Sequence, residues 1–467
     1  MQTDRPAFGG GAQASHLDPL FLVATILALI SILLLPRRRL VAPFIVLTFL
    51  GSLGQLIYVA GVHLFVLRLL IIAGLFRVVV AHKEPNQSRF IGGWTSVDTA
   101  YTAWVFFHAL AAVVQFRGAA GAIIFQSGFI WDALGGYILL RWIVRDEEDI
   151  AFTVRVFAFV TVCLAAVMIN EKLRGQNLFG YLGVVSLVSD VREGSIRAKG
   201  AFAHAILAGV FGATWVPLFW WLWKSGRAKL LGILGFLGST AMVLTSSSST
   251  PLLAYLSAFL GLAFWPLRKK MRAFRWGLLS ALVALHLVMK APVWFLIARV
   301  DLVAGNSGYH RALLIDQCVR HFWDWWLIGT STAGWGWDMW DLSNQFVAEA
   351  DTGGLVTVVF FILVIQRSFN RVGRARKIVE GDPQQEWFMW LIGVTILVSV
   401  VSYFGVNYYD HTKIAWCAVL AIMSAATVPV LATEPSPSSE TGALKVRPPL
   451  VLDSPSIAQH VQRGPSR

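Results

Sequence analysis

Long apolar runs constrain the fold of this chain more than any other feature of its sequence. They recur throughout the chain up to residue 431, with short polar connections between them. In hydrocarbon every backbone amide must be hydrogen-bonded within its own segment, and no run alternates like a barrel strand. We therefore predict an all-α, polytopic transmembrane helical bundle of roughly 12 to 13 spans, each of about 20 residues. The predicted segments lie near residues 20–35, 41–61, 63–80, 99–115, 121–143, 151–169, 201–223, 230–244, 251–266, 276–297, 353–366, 387–406 and 414–431.

The composition agrees with a protein that lies in lipid. Hydrophobic residues make up 56% of the 467 residues and charged residues only 14%. In soluble domains about a quarter of all residues are charged. The net charge is +13, but the basic residues form short clusters rather than one basic face, so we exclude nucleic acid as a partner. Cys163, Cys318 and Cys417 are far apart, which predicts neither a disulfide framework nor a metal site.

The basic clusters predict the orientation of the spans, because Lys and Arg are retained on the cytoplasmic side of a membrane. If the segments alternate, one side receives the basic clusters, which lie at residues 37–39, 224–229, 268–275 and 367–377. We predict that this side is cytoplasmic. The extracytoplasmic side then receives the longer connections, at residues 170–200, 245–250, 298–352 and 407–411.

Three parts are predicted along the chain: a short N-terminal segment 1–19, a membrane domain 20–431, and a tail 432–467. Three arginines rather than a small-residue cleavage site follow the first apolar run, so we expect a retained anchor. The tail is rich in Pro and Ser with few large apolar residues, which predicts a disordered cytoplasmic extension. Within the membrane domain, we expect the loops 170–200 and 298–352 to form the active site.

Cations in the predicted outer loops are the first candidates for a binding site. Arg197 and Lys199 precede the helix predicted to open at Ala201, and Arg311 directly follows His310. Guanidinium groups bind phosphate in bidentate fashion, and partial burial strengthens that interaction, so we predict a site for a lipid-linked phosphate. Because long loops are translocated whatever their charge, solvated cations are the alternative interpretation.

Polar and aromatic residues near the predicted membrane boundary supply further candidates. His204 is placed three residues inside an apolar helix, where an ionisable group is costly and is either functional or hydrogen-bonded packing. Trp326 belongs to a tryptophan-rich stretch that favours an interfacial belt, with stacking on a sugar as a second role. Asn344, Gln345 and Glu349 fall within two helical turns, so Glu349 is a candidate general base beside substrate-orienting amides, with solvated loop residues as the alternative.

Several short motifs follow one another on the predicted outer side. They are Arg197-Ala-Lys-Gly-Ala-Phe-Ala-His204, Thr245-Ser-Ser-Ser-Ser-Thr250, Ser307-Gly-Tyr-His-Arg311, Trp326-Leu-Ile-Gly329, and Asn344-Gln345-Phe346 followed by Gly353-Gly354-Leu355. In this order they resemble the O-antigen ligase and polymerase superfamily of bacterial envelope glycosyltransferases. The resemblance covers roughly residues 195 to 410 and is specific in the order of its motifs.

The resemblance implies a GT-C-like bundle in the bacterial inner membrane that takes a glycan from an undecaprenyl-diphosphate carrier. The glycan would be joined to a hydroxyl of a glycan or lipid acceptor, without a nucleotide sugar, a metal or another cofactor. It also implies partners among other envelope polysaccharide assembly proteins. Arg197 and Arg311 match the family's arginine motifs and would hold the diphosphate, stabilising its charge as the carrier departs.

The chain departs from the family pattern at two points. The hairpin tip at residues 245–250 has no arginine, and Ser343-Asn344 stands where ligases have a His-Asn pair. The usual base candidate is therefore missing, and Glu349, His310 or Asp410 would take its role. The Asn-Gln-Phe variant looks closer to exopolysaccharide polymerase-like members than to lipopolysaccharide ligases.

Two other classes of protein remain as alternatives. A transporter or flippase for a lipid-linked or anionic substrate also needs polar groups beside lipid, but it usually places ionisable residues near mid-membrane in broken helices. Most of the charge here lies in the predicted loops, which favours chemistry at the membrane surface. A receptor or scaffold without turnover has little positive support.

Overall fold

The computed structural model describes residues 15–59, 62–81, 88–183, 185–299, 307–336 and 338–432. The predicted tail beyond residue 432 and most of the predicted N-terminal segment lie outside these residues. The fold is helical, as predicted. The α-helices are Pro19–Leu34 (α1), Val41–Leu50 (α2), Val66–Val80 (α3), Ser96–Gln115 (α4), Ala120–Ile130 (α5), Gly136–Ile143 (α6), Glu147–Arg174 (α7), Ala205–Lys224 (α8), Lys229–Thr245 (α9), Ser249–Ala263 (α10), Met271–Val288 (α11), Leu296–Arg299 (α12), Ser307–Arg320 (α13), Phe322–Trp325 (α14), Gln345–Ile378 (α15), Pro383–Tyr403 (α16) and Thr412–Leu431 (α17).

Short elements connect these helices. A π-helical turn, Trp131–Gly135, joins α5 to α6, so that the two form one continuous span. Two antiparallel hairpins are present, Leu56–Val59 (β1) with Val62–Phe65 (β2) and Asp190–Arg192 (β3) with Ser195–Arg197 (β4). The 3₁₀ turns are Arg37–Leu40, Leu178–Leu182, Trp265–Lys270, Val293–Phe295 and Thr332–Trp335.

Eight helices among the described residues have the length and apolar character of membrane spans, so this is a multi-pass membrane protein. Three further apolar helices, α1, α9 and α10, have 16, 17 and 15 residues. At about 1.5 Å per residue they are shorter than the roughly 30 Å of a bilayer core. The predicted 12 to 13 spans counted such short segments, whereas length and composition together support eight.

The predicted segment 41–61 is only partly helical. Its helix ends at Leu50, and the chain then enters the β1–β2 hairpin. The side chain of Gln55 donates to the Leu182 carbonyl at 2.7 Å, and the Ser52 hydroxyl lies 3.4 Å from the Gly183 carbonyl. Because these polar side chains bond a neighbouring connection, the second half of the apolar run forms a hairpin instead of a longer helix.

The basic clusters meet at one end of the bundle, which we call the basic end. Ion pairs of 2.6 to 2.9 Å join its connections, linking Arg38 to Asp149, Arg227 to Glu147, and both Arg268 and Arg376 to Glu386. The opposite end, which we call the loop end, carries the connections at residues 175–183, 185–204, 246–248, 289–299, 307–336, 338–344 and 404–411. The alternation predicted from charge is therefore present in the fold, while the membrane side that each end faces stays a prediction.

The long helix α15 begins earlier than predicted. Asn344 caps it, because the side-chain oxygen of Asn344 accepts from the N–H of Phe346 at 2.9 Å. The predicted loop 298–352 therefore ends at residue 344, and it contains the helix α13. Inside α15 the backbone kinks at Gly354, where φ is +69°, and the N–H of Leu355 donates to the Trp326 carbonyl at 2.9 Å. The kink thus fixes the tryptophan-rich connection to the bundle.

The helix α8 is the most deeply buried of the eight spans. Gly209 lies directly against Pro251 of α10, and the Trp215 ring stacks on Phe157 of α7 with centroids 3.7 Å apart. Small residues allow such close approach between membrane helices. The N-terminus of α8, at His204, lies at the loop end, so the side chains around it are carried by the rigid centre of the bundle.

Candidate functional site

A cavity of about 410 Å³, which we call the arginine cavity, lies at the loop end. Arg197 at the end of β4 and Arg311 in α13 both line it, and their exposed fractions are 8% and 5%. The other polar residues of its wall include Arg192, His204, Tyr309, His310, Asp341 and Ser343. The fold therefore brings the two predicted phosphate-binding arginines to one chamber.

Hydrogen bonds on neighbouring residues fix the position of Arg197. The buried carboxylate of Glu171, at the end of α7, accepts from the N–H groups of Lys199 at 3.1 Å and Gly200 at 2.8 Å. The Nη2 atom of Arg197 donates to the Ser248 hydroxyl at 2.5 Å. The predicted serine-rich hairpin tip thus serves as part of the support for this arginine.

The guanidinium of Arg197 has little compensation for its burial. Its Nε has no hydrogen-bond partner and the group forms no ion pair within the described parts of the chain. Burial, and then the charge of the nearby Arg192, lower the pKa of Arg197 from its ordinary value. Asp190 opposes this effect only in part. A buried cation with incomplete hydrogen bonding gains from an anionic ligand, and a guanidinium fork matches phosphate oxygens.

His204 is the N-cap of α8, whereas hydropathy placed it three residues inside the helix. Its Nδ1 accepts from the N–H of Ile206 at 3.3 Å, so the neutral ring carries its proton on Nε2. Burial first, and then the charge of Arg197, lower the pKa of His204 below its ordinary value of 6.5. His204 is therefore a neutral hydrogen-bond donor at neutral pH.

Of the three predicted base candidates, His310 is the one that lines the arginine cavity. Its Nε2 lies 2.9 Å from the Asp338 carbonyl oxygen, which can only accept, so Nε2 carries the proton. Its Nδ1 lone pair lies 3.4 Å from the Ser343 hydroxyl. A ring fixed in this tautomer can take a proton on Nδ1.

A second cavity, of about 610 Å³, extends between the helices, and we call it the large cavity. Asn407 and Tyr409 line both cavities, so the connection 404–411 forms a common wall. Residues of helices α1 to α5 and α15 to α17 contribute the other walls. Its polar lining includes Trp104, His108, Gln126, Asp132, Glu349 and Lys413.

The Glu349 carboxylate is held by three donors and is 2% exposed. Its Oε2 accepts from Trp104 Nε1 and lies 2.9 Å from His108 Nδ1, and its Oε1 accepts from Gln345 Nε2 at 2.6 Å. Carboxylate oxygens accept hydrogen bonds, so His108 directs an Nδ1 proton to Glu349. The Nε2 lone pair of His108 is then left for the large cavity, as in a histidine oriented by a carboxylate.

Gln345 and Asp410 also line the large cavity. The Oε1 of Gln345 accepts from the N–H of Tyr408 at 2.7 Å, which ties α15 to the common wall. Asp410 accepts from the N–H of Thr412 at 2.8 Å and from the N–H of Ala203 at 3.2 Å. Asp410 therefore stabilises the turn before α17 and the segment that precedes α8.

Three other predicted substrate-binding residues line neither cavity. The Nζ of Lys199 pairs with the exposed carboxylate of Asp190 at 3.2 Å. Asn344 is 1% exposed and serves as the cap of α15. Trp326 is 41% exposed and packs edge-on to Trp323. This position agrees with the interfacial belt rather than with stacking on a sugar in either cavity.

Sequence reasoning misses His108 and Asp132, which are single ionisable residues inside apolar runs, and Lys413, which directly precedes the last run. The available signals are weak. Ionisable groups at such depth are functional candidates by default, and Trp104 and His108 are four residues apart on one helix face. The partner of His108 is Glu349, 241 positions away, and only the packing of α4 against α15 joins them.

Within the described residues, no group of three or more His, Cys, Asp or Glu is arranged to hold a metal ion. The side chains that line the two cavities can bind anions through arginine and can transfer protons through histidine. No protein-family model matches the sequence, and no curated protein is significantly similar to it.

Proposed function

We propose that this protein is a glycosyltransferase of the bacterial inner membrane that moves a glycan from an undecaprenyl-diphosphate carrier to an acceptor hydroxyl. The observation that carries the proposal is the arginine cavity, in which Arg197 and Arg311 are buried together at one end of a membrane bundle. The diphosphate of a lipid carrier lies at the membrane surface, where the loop end would meet it. In this proposal the loop end faces the extracytoplasmic side, and the enzyme is either a polymerase or a ligase.

The proposed reaction forms a bond between the acceptor oxygen and the anomeric carbon of the donor glycan. At the same time the bond between that carbon and the diphosphate oxygen breaks, and its electron pair leaves with the carrier. Negative charge grows on the departing diphosphate, and Arg197 and Arg311 would stabilise it from fixed positions. The Nε2–H of His204 would add a neutral donor in the same chamber.

The proton of the acceptor hydroxyl needs a base on the side of the anomeric carbon. His310 supports this role because its Nδ1 is an acceptor, with only the Ser343 hydroxyl at 3.4 Å beside it, while the Asp338 carbonyl fixes the ring. An acceptor hydroxyl would take the place of the Ser343 hydroxyl beside Nδ1. Protonated His310 then returns the proton to solvent at the loop end.

The test uses the purified full chain in lipid nanodiscs with an undecaprenyl-diphosphate oligosaccharide. Carrier release and glycan length are followed together. We expect Arg197→Ala and Arg311→Ala each to lower transfer by roughly 10² to 10³, as for removal of one donor from a transition-state anion site. Longer lipid-linked chains identify a polymerase, and transfer to a separate acceptor identifies a ligase.

The matched control is Arg174→Ala, which removes an exposed arginine of the same end of the bundle. It should leave transfer unchanged, since Arg174 lines neither cavity. Insertion and monodispersity are checked for every variant. Unimpaired transfer by both cavity variants would contradict the proposal.

A transporter is the second candidate, and one observation favours it. Asp132 lies in the π-helical turn within a membrane span and pairs with Arg68 at 3.1 Å, and Glu349 and Lys413 line the same large cavity. Ionisable groups at membrane depth and π-turns are both common at functional sites. Movement of the lipid-linked substrate across proteoliposomes, with no bond made or broken, would favour this candidate.

A further inference from the structure

The large cavity has no part in the diphosphate chemistry proposed above, and its charge argues against a second diphosphate. Four carboxylates line it against two cationic side chains: Asp132, Glu349, Asp351 and Asp410 against Arg68 and Lys413. An anion of high charge would meet net repulsion there. The cavity wall has both apolar and polar side chains, and the polar ones would gain no hydrogen bond from a polyprenyl chain.

Several polar groups of the large cavity have no partner in the described protein. Gln126 is 4% exposed and its Oε1 accepts no hydrogen bond. His411 is equally buried and neither of its ring nitrogens is bonded. The Nζ of Lys413 lies 4.8 Å from the Phe129 ring centroid and forms no ion pair within the described residues. Unpaired buried groups are costly, so donors and acceptors of both kinds point to a ligand rich in hydroxyl groups.

Aromatic rings alternate with these polar groups along the wall. Trp104, Phe129 and Tyr403 all line the cavity, and His108 stacks on Phe129 with ring centroids 4.3 Å apart. Saccharides have apolar C–H faces and hydroxyl edges, so they fit a wall in which aromatic and polar side chains alternate. The volume of about 610 Å³ is within the usual range for a ligand pocket, roughly 300 to 1,000 Å³.

We infer that the large cavity is the binding site for the acceptor saccharide, in which Nε2 of His108 accepts a hydrogen bond from a sugar hydroxyl. The role of this saccharide as acceptor rests on the proposed function, whereas its chemical class rests on the lining of the cavity. Glu349 is a positioning residue, because it fixes the tautomer that leaves His108 Nε2 unprotonated. The common wall at Asn407 and Tyr409 places this site beside the arginine cavity.

The test measures binding without transfer, using the full chain in nanodiscs. The probe is the glycan released by mild acid from the lipid-linked pool of the native host, so it carries neither prenyl chain nor diphosphate. Saturation-transfer NMR and titration give its Kd. We expect His108→Ala to weaken binding at least about tenfold, which is the loss of one good hydrogen bond. His108→Gln, which keeps an acceptor, should weaken it less.

The control is Phe106→Ala on the same helix, since Phe106 is 56% exposed on the outer side of the bundle. It should bind the released glycan like the unchanged protein. Arg197→Ala should also bind it normally, because Arg197 does not line the large cavity. If the unchanged protein binds the released glycan but does not transfer it, the proposed function alone is refuted. In a transfer assay His108→Ala should raise the acceptor KM more than it lowers kcat.

Three results would overturn the inference. The first is no binding of the released glycan by the unchanged protein at millimolar concentration. The second is equal affinity in His108→Ala, or loss in Arg197→Ala instead. The third is displacement of the glycan by inorganic pyrophosphate or farnesol, which would identify the large cavity as a site for the carrier.

Discussion

The two histidines of the arginine cavity differ because their ring nitrogens have different partners. In His204 a backbone N–H occupies Nδ1, which leaves Nε2–H as a donor. In His310 a backbone carbonyl occupies Nε2, which leaves Nδ1 as an acceptor. The same side chain therefore offers a hydrogen-bond donor at one point of the cavity and an acceptor at another.

The lowered pKa of His204 predicts a pH-dependent stability. Because the folded protein holds this proton less tightly than the unfolded chain, the contribution of His204 is present above pH 6.5 and is lost as the pH falls below it. Arg197 and Lys199 lower the pKa, and Asp190 and Asp341 oppose them. We expect the Tm to fall between about pH 7.5 and about pH 5.5, and to fall less in His204→Gln. Identical pH profiles would contradict this assignment.

Removal of the Glu349 carboxylate should destabilise the protein. Glu349→Leu leaves the donors of Trp104, His108 and Gln345 unpaired in a buried position, at a cost of roughly 2 to 4 kcal/mol. Glu349→Gln keeps one acceptor oxygen and should cost less. Thermal unfolding in one detergent gives the comparison, and an unchanged Tm in Glu349→Leu would argue against the network.

The arginines of the site could be found from the sequence, and the histidine of the large cavity could not. Arg197 and Arg311 stand in short motifs with glycine and aromatic neighbours, which local reasoning can recognise. His108 stands in an apolar helix with no chemical partner nearby in the chain. Its role depends on Glu349 from α15, and hydropathy contains no information about which helices pack together.

At the scale of elements, α15 shows how polar first turns hide the start of a membrane helix. Gln345, Glu349 and Asp351 lower the local hydropathy, so the predicted segment began only at residue 353. The helix is nevertheless capped by Asn344, a residue type that favours this position. The same polar residues that obscure the start of the helix line the large cavity.

The kink in α15 predicts contrasting effects for two glycines of that helix. A Cβ at Gly354 would lie 2.8 Å from the backbone of Leu327, and the φ of +69° disfavours any other residue. Gly354→Ala should therefore destabilise the protein by at least about 1 to 2 kcal/mol and displace the connection at 326–330. Limited proteolysis of that connection and the Tm provide the measurements.

Gly373 supplies the matched control, because it lies in the same helix and a Cβ there meets no other atom within 4 Å. Gly373→Ala should be neutral or should stabilise by about 0.5 to 1 kcal/mol, since alanine favours a helix interior. If both substitutions had the same effect, the close contact at Gly354 would not be what holds the connection.

At the scale of the whole molecule, the basic end and the loop end divide the chemistry. Carboxylates at the starts of α7 and α16 neutralise the basic clusters, as in the pair of Arg38 with Asp149. The loop end keeps arginines that line a cavity instead. Charge in the connections predicted this division correctly, but the cavities arise from helix packing, and sequence reasoning did not foresee either their number or their common wall.

Orientation can be tested with single cysteines in a background without Cys163, Cys318 and Cys417. Glu193, in the β3–β4 turn, and Ser225, after α8, are both exposed and lie at opposite ends. We expect a membrane-impermeant maleimide to label Glu193→Cys in intact cells. Ser225→Cys should be labelled only after permeabilisation, because the basic end is predicted to be cytoplasmic. The reverse pattern would refute the predicted orientation.

The peptide from Phe404 to His411 is a partition with a different chamber on each of its faces, and Tyr408 and Asp410 fasten it to α15 and to the start of α8. A ligand that displaces this connection from one cavity would change the shape of the other cavity. By thermodynamic linkage, the factor by which one ligand changes the affinity for the other is the same in both directions. Ligands of the two cavities would therefore have linked affinities, because Asn407 and Tyr409 line both.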